Sequence, residues 1–236
     1  MTVGTGGIRV MSYNVRSLRD DREAVVRIVR HCAPDLLCVQ EAPRSLRWRH
    51  AVARFARECG LVVITGGGTA AGPLLLGGLR VRVRRAQDVL LPRTPGLGQR
   101  GMAGAVVEVG GAEFAVAATQ LGLDAAERSA HVELVLRRLA GLGVEHRVLA
   151  GDFNESAGRP GWDRLAEELQ DGYAIAPDGS EFTSPRRDPG RRVDGVFASG
   201  GIEVLGCGVP DDVTDAEYAA ASDHRPVLAV LRVPAG

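Results

Sequence analysis

Arg147-Val148-Leu149-Ala150-Gly151-Asp152-Phe153-Asn154 begins as a strand and ends in polar groups. Val148, Leu149 and Ala150 make a short apolar run that suits a buried strand, and the run stops at a glycine, an acid and an amide. Three other stretches have the same character. The alternating segment Ile8 to Val15 reaches Asn14, in Ser12-Tyr13-Asn14-Val15. Leu36-Leu37-Cys38-Val39 runs into Gln40-Glu41, and Ser222-Asp223-His224-Arg225-Pro226 precedes the last apolar strand. Taken singly, each is explained by a solvated loop or a turn, since Gly, Asp and Asn are ordinary turn residues. Four together at strand ends are not. Carboxylates held at the ends of rigid strands project into a common cleft. That arrangement suits metal and phosphate chemistry, which needs hard oxygen ligands at fixed positions.

Working outward, Asp20 to Cys32 reads as a helix with Val25, Ile28, Val29 and Cys32 on one face and Pro34 beyond its end. A second helix carries Trp48, Val52, Phe55, Ala56 and Cys59 on one stripe, and Gly60 stops it. Leu61 to Thr65 is a strand. Gly66-Gly67-Gly68 lacks the pattern of a phosphate loop and reads as a flexible connection. Leu74–Leu76, Leu79–Leu91, Ala103–Val109 and Glu113–Leu121 read as strands, with Gly110-Gly111 as a hairpin turn. Asp124 and Glu127 resemble a capping box that opens a helix to Leu139. A strand from His146, a helix from Pro160 to Leu169 and strands at Val193–Ala198, Ile202–Val209 and Pro226–Val233 complete the chain. Hairpins and helices mix without strict βαβ alternation and without internal repeat. The order fits an α/β fold in which two sheets pack face to face with helices outside. No Pro/Ser-rich linker divides residues 1–236, so one domain is expected.

Composition narrows the function. Aromatic residues are 4% of the chain, so the core is aliphatic and base stacking on single strands is poorly supplied. The 29 basic residues, all arginine, balance 29 acidic ones, which argues against a protein that tracks long nucleic acid by a broad basic footprint. Cys32, Cys38, Cys59 and Cys207 form no CxxC pair and read as small hydrophobes. Residues 1–7 carry neither a basic start nor an apolar run, and no segment approaches membrane length. A soluble cytoplasmic protein with reduced thiols and no membrane partner is expected, acting as a monomer.

The succession Tyr-Asn-Val, Gln-Glu, Gly-Asp-Phe-Asn, Arg192-Val193-Asp194 and Ser-Asp-His-Arg-Pro resembles the endonuclease/exonuclease/phosphatase superfamily, the group of DNase I, from Asn14 to Pro226. The resemblance implies a four-layer α/β sandwich of two mostly antiparallel sheets flanked by helices. It also implies a phosphoester hydrolase dependent on Mg²⁺ or Mn²⁺, acting on a phosphorylated small molecule or on nucleic acid. Glu41 would be the principal metal ligand, with Asn14 nearby and Asp223 on the same or a second ion. Asp152 and Asn154 would position and activate the attacking water. His224 would support the scissile phosphate, oriented by Asp194.

One position departs from the family pattern. Where the family usually reads Thr-His-Leu, this chain reads Thr119-Gln120-Leu121. Glutamine donates a hydrogen bond but carries no proton through neutral pH. Either the leaving group needs little protonation, or another residue supplies the proton, or the protein is a slow or inactive member that acts as a binding protein. Arg186, Arg187, Arg191 and Arg192 flank a Pro-Gly turn just before Asp194, and Arg187 and Arg191 are candidates for a substrate-phosphate clamp. Arg80, Arg82 and Arg84 share a solvated face. Arg100 fits the cleft or the surface equally.

Overall fold

The computed structural model describes residues 7–235. Residues 1–6, most of the stretch read above as having neither a basic start nor an apolar run, and residue 236 lie outside them. The alternating stretch Ile8–Asn14 forms β1. Asp21 then opens helix α1 (Arg22–Cys32) by accepting the N–H groups of Glu23 and Ala24, which satisfies donors that the first helical turn leaves free. The helix buries Val25, Ile28, Val29 and Cys32, returns the chain to β2 (Leu36–Gln40), and so makes β1 and β2 parallel. Helix α2 (Trp48–Cys59) ends at left-handed Gly60, and the hairpin partners β3 (Val62–Gly66) and β4 (Leu74–Gly77) follow.

The chain then builds most of a second sheet. Strands β5 (Val81–Leu90), β6 (Gly101–Val109) and β7 (Ala112–Gln120) form an antiparallel meander. Gly110 and Gly111, at φ 60 and 88, make the two-residue turn expected between β6 and β7. Helix α3 (Ala125–Ala140) carries the chain over to β8 (Arg147–Asp152), parallel to β7. Helix α4 (Pro160–Glu168), the short β9 (Gln170–Asp171) and α5 (Gly172–Ile175) lead to β10 (Asp194–Ala198). Then come β11 (Glu203–Gly208), α6 (Asp215–Ala221) and β12 (Val227–Arg232).

Two six-stranded sheets result, ordered β11-β12-β1-β2-β4-β3 and β5-β6-β7-β8-β10-β9. Each has one parallel pair at its centre and antiparallel neighbours elsewhere. Val10, Leu36 and Leu75 meet Ala105, Phe114, Val116 and Val148 between the sheets. The outer face of the first sheet is covered by α1, α2 and α6, and that of the second by α3 and α4. The expected four layers are present. All four cysteines are buried free thiols, and burial pushes each up to about 12. Among the described residues no helix is long and apolar enough to cross a membrane.

Local readings change at the triple glycine and at the α3 cap. Gly66-Gly67-Gly68 is a packed turn, not a loose connection: a Cβ on Gly67 or Gly68 would lie 2.7 or 2.6 Å from the Trp48 ring. The α3 capping box is half formed. Asp124 accepts the Glu127 N–H, but the Glu127 carboxylate accepts from the Thr94 N–H at 3.3 Å and ties down the loop before β6.

Arg192 is one of four arginines that flank the Pro-Gly turn, and it is buried. It donates to both oxygens of Asp171 at 2.8 Å, with its guanidinium over Trp162 and Tyr173. The Trp162 N–H donates to the same carboxylate at 2.9 Å. Removing the carboxylate would leave the buried guanidinium with only Glu181, 3.3 Å from its Nε, as a charge partner. Asp171→Leu should therefore destabilise the fold by ~3–5 kcal/mol in urea unfolding. A loss below about 1 kcal/mol would mean that Arg192 reaches solvent and that the pair is peripheral.

Candidate active site

The two parallel pairs end on the same cluster. Asn14 closes β1, Glu41 follows the last residue of β2, Gln120 closes β7 and Asp152 closes β8. The Asn14 side-chain amide donates to Glu41 Oε1 at 3.1 Å and to Asp152 Oδ2 at 3.0 Å. The Gln120 amide donates to the same two oxygens, at 2.9 and 3.2 Å. Two amides and two carboxylates thus alternate in a closed ring. One member of each kind comes from each sheet. An amide NH₂ has two protons, so each amide serves both carboxylates without adding charge.

The backbone around the ring is strained. Glu41 and Asn154 sit at φ 54 and 51, and Arg16, Ser17 and Leu18 at 47, 56 and 54. Side chains other than glycine enter this left-handed region at a cost of ~1–3 kcal/mol each, and they stay there only when their surroundings hold them. Here the Ser17 N–H donates to the Glu41 carbonyl at 2.7 Å, and the Arg16 N–H to Asn14 Oδ1 at 3.0 Å. The Asn154 N–H donates to Asp152 Oδ1 at 3.0 Å and its side-chain amide to the Leu121 carbonyl at 2.9 Å. Phe153 between them is buried edge-on against Trp162 and Phe197, which anchors the turn.

Beside the ring lies a second pair. Asp194 opens β10 directly across from Asp152, and its Oδ2 is 2.7 Å from His224 Nδ1. Thr183 Oγ1 accepts the Val193 and Asp194 N–H groups, and Ser222 Oγ donates to the Asn14 carbonyl at 2.7 Å. Burial works against a charged His224 ring. The charge and hydrogen bond of Asp194, with Asp152 and Asp223 behind, outweigh it and push His224 up to about 10. Burial, then the Asp194 charge, raises Asp152 to about 6, against the opposing pull of His224, the Asn154 N–H and Gln120.

Ligand atoms of Asp152, Asp194 and His224 lie within 4.8 Å of one another, a spacing that could hold a cation. A protonated imidazole has no lone pair for a metal, and Nδ1 is already committed to Asp194. We read His224 as a cationic donor. Asp194 Oδ1 is buried without a hydrogen-bond partner, a state that asks for a donor or a cation. Glu41, Asp152, Asp194 and Asp223 outnumber Arg16 and His224 in charge. An acidic, oxygen-rich set of this kind fits a hard divalent ion.

The expected site residues do not all join the ring. Asp223 is half exposed and pairs with Arg16 at 3.2 Å, which also holds Asp20. Arg187 and Arg191 are exposed on a hairpin closed by Ser184 and Arg191. That hairpin flanks the site, because the Arg225 N–H donates to the Thr183 carbonyl at 2.8 Å. Ser222 and Arg16 were not among the residues expected from sequence.

Comparison with known proteins agrees with this geometry. The model of a family described as Endonuclease/Exonuclease/phosphatase matches residues 11–224. No curated protein sequence matches the chain. Among solved structures, an endonuclease/exonuclease/phosphatase from Bacteroides vulgatus is similar at a TM-score of 0.82 and 18% identity, covering 97% of this chain and 99% of that one. A mannosyl-6-phosphatase of Bacteroides thetaiotaomicron gives 0.79 and 20%, covering 95% and 99%. The human Nocturnin catalytic domain with bound sulfate gives 0.73 and 17%, covering 97% and 94%. Carboxylates and amides at the ends of two parallel strand pairs, a histidine–aspartate pair beside them and a family match over most of the length lead to one assignment: the chain belongs to the endonuclease/exonuclease/phosphatase family.

Proposed function

We propose that the protein is a divalent-metal-dependent phosphoester hydrolase, with Mg²⁺ or Mn²⁺ as its ion. The observation that carries this reading is the amide–carboxylate ring, set against the His224–Asp194 pair. A phosphoester is anionic and repels hydroxide, so a hydrolase must bring positive charge to the phosphoryl group and a base to water. Glu41 would hold the ion, with Asn14 beside it and Asp223 on the outer side. Such an ion would supply positive charge at the phosphoryl oxygens and make water there a stronger acid.

The remaining roles fall to the chain's own side chains. Asp152, raised to about 6, is a base near ambient pH that accepts a proton from the attacking water. Asn154, oriented by Leu121, offers its second amide N–H to the water or to a phosphoryl oxygen. His224, protonated and held by Asp194, donates from Nε2 to the phosphoryl group and opposes the charge that develops there. Arg187 and Arg191 lend positive potential at the rim. Gln120 completes the ring and handles no proton. Substrates whose leaving group needs no protonation are therefore favoured. A phosphorylated small molecule fits the neutral charge of the chain better than a long duplex does.

Release of p-nitrophenol from bis(p-nitrophenyl) phosphate and from its monoester should require Mg²⁺ or Mn²⁺. Release should fall at least ~10²-fold in Glu41→Ala and in Asp152→Ala. No metal-dependent release from either ester would move the reading to a binding protein that kept the scaffold. Gln120→His should raise turnover of a diester with an alkyl alcohol leaving group by about 10²-fold more than that of the p-nitrophenyl diester. An equal response of the two esters would mean that position 120 has no part in protonating the leaving group.

The His224–Asp194 pair also makes a stability prediction. His224 is raised above its unfolded value, so its stabilisation is complete below about pH 6.5 and is lost as pH rises through about 10. In EDTA, the unfolding free energy should fall between about pH 6.5 and 7.5 with a slope approaching ~1.4 kcal/mol per pH unit. This window lies below the titration of the four thiols, near ~8.5 in the unfolded chain and pushed up to about 12 when buried. Asp194→Asn should flatten the slope, and an unchanged slope would place the proton elsewhere.

A further inference from the structure

A cleft of about 230 Å³ opens beside the ring. Glu41 and Gln120 form its inner wall, and Arg19, Arg44, Arg100 and Gln99 line the rest. The arginines come from three separate places: Arg19 follows the left-handed turn at residues 16–18, Arg44 lies in the loop after Glu41, and Arg100 precedes β6. About half of the other arginines face carboxylates, as Arg84 faces Glu108, Arg164 faces Glu133 and Arg128 faces Glu155, so what sets Arg19, Arg44 and Arg100 apart is their convergence on one cleft. Among the described residues Arg19, Arg44 and Arg100 form no ion pair. The Arg44 guanidinium is steadied at one end by the Ala71 carbonyl at 3.0 Å, and its other nitrogens are left for a ligand. Three guanidinium groups against the single carboxylate of Glu41 make a site for an anion, and their planar forks suit phosphate oxygens.

Size and surroundings narrow the anion. The volume is below the roughly 300–1,000 Å³ of sites for drug-sized ligands, so it takes a phosphate and a few carbons. No aromatic residue lines the cleft, so a base would find no ring there to stack on. A single strand of nucleic acid would need stacking platforms and a longer basic groove.

We propose that this cleft binds a second phosphate of a small phosphorylated substrate whose scissile ester lies at the ring, so that bisphosphates are preferred to monophosphates. The proposal rests on the hydrolase reading for the position of the scissile ester, but its binding test does not depend on turnover. Calorimetric titration of the full chain in EDTA, where the proposed reaction cannot run, would compare fructose 1,6-bisphosphate with fructose 6-phosphate. It would also compare adenosine 3′,5′-bisphosphate with adenosine 5′-monophosphate. Each charge-assisted contact is worth about ten-fold in affinity. At least one bisphosphate should bind ten-fold or more tightly than its partner, and Arg44→Gln/Arg100→Gln should bring that ratio close to one. Equal affinities in the wild type, no binding of any probe at millimolar concentration, or a preference that survives the double substitution would each overturn the proposal. Tighter binding of a 3′-phosphorylated single-stranded oligonucleotide than of either bisphosphate, lost in the same variant, would give the cleft to nucleic acid and overturn the small-molecule assignment. Failure of the hydrolase reading would appear instead as absent p-nitrophenol release with the binding ratio intact.

Discussion

Carboxylates brought together in a partly dry cleft repel one another, and each prefers to take up a proton rather than share the space charged. Two neutral amides standing between Glu41 and Asp152, each donating to both, offset part of this cost, although burial still raises Asp152 to about 6. The pair is bridged without being neutralised, so its negative charge remains for a cation. Asp194 meets the same problem differently, by pairing with an imidazole that it keeps protonated. In this light Gln120 is not a hole in the site. It performs for the second sheet what Asn14 performs for the first, and what it gives up relative to histidine is a titratable proton.

That equivalence follows from topology. In an open sheet the place for ligands is outside the carboxyl ends of parallel strands, because helices cover the faces and the strand ends leave a crevice. This chain has two such places, β1–β2 and β7–β8, each with its crossover helix, and packing the sheets face to face brings the two crevices together. The register Asn14↔Gln40 is matched by Gln120↔Asp152. The strained turns at Glu41 and Asn154 then aim side chains that a regular strand would have sent to one face or the other.

Much of this was legible in the sequence because it rests on local signals. Alternation and apolar runs locate the strands, Gly60 marks a helix end, and Gly110-Gly111 marks a hairpin. The Gly-Asp-Phe-Asn and Ser-Asp-His-Arg-Pro motifs locate the strand ends that matter. Long-range facts were not legible. Nothing local says that Arg192 turns inward to Asp171 while Arg187 and Arg191 stay outside, since all three share one basic stretch. Nothing local distinguishes a flexible triple glycine from one that an indole lies on. Helix α6 was missed despite a signal, because Thr214 and Glu217 have the spacing of a capping box: the Thr214 side chain accepts the Glu217 N–H. The cleft of Arg19, Arg44 and Arg100 is assembled from three loops, and only the assembled chain brings them together.

The closed ring has a mechanical consequence. Asn14 and Glu41 ride on one sheet, Gln120 and Asp152 on the other, and mostly small and aliphatic side chains such as Ala103, Ala105, Val10 and Leu36 set the spacing between them. A slip of one sheet over the other by the width of a methyl group would stretch all the bonds between the two halves at once, since the hydrogen bonds that span the gap tolerate only a few tenths of an ångström. The aliphatic filling between the sheets therefore acts as the gauge block of the site, and a bulkier residue there would detune chemistry taking place well outside its own contacts.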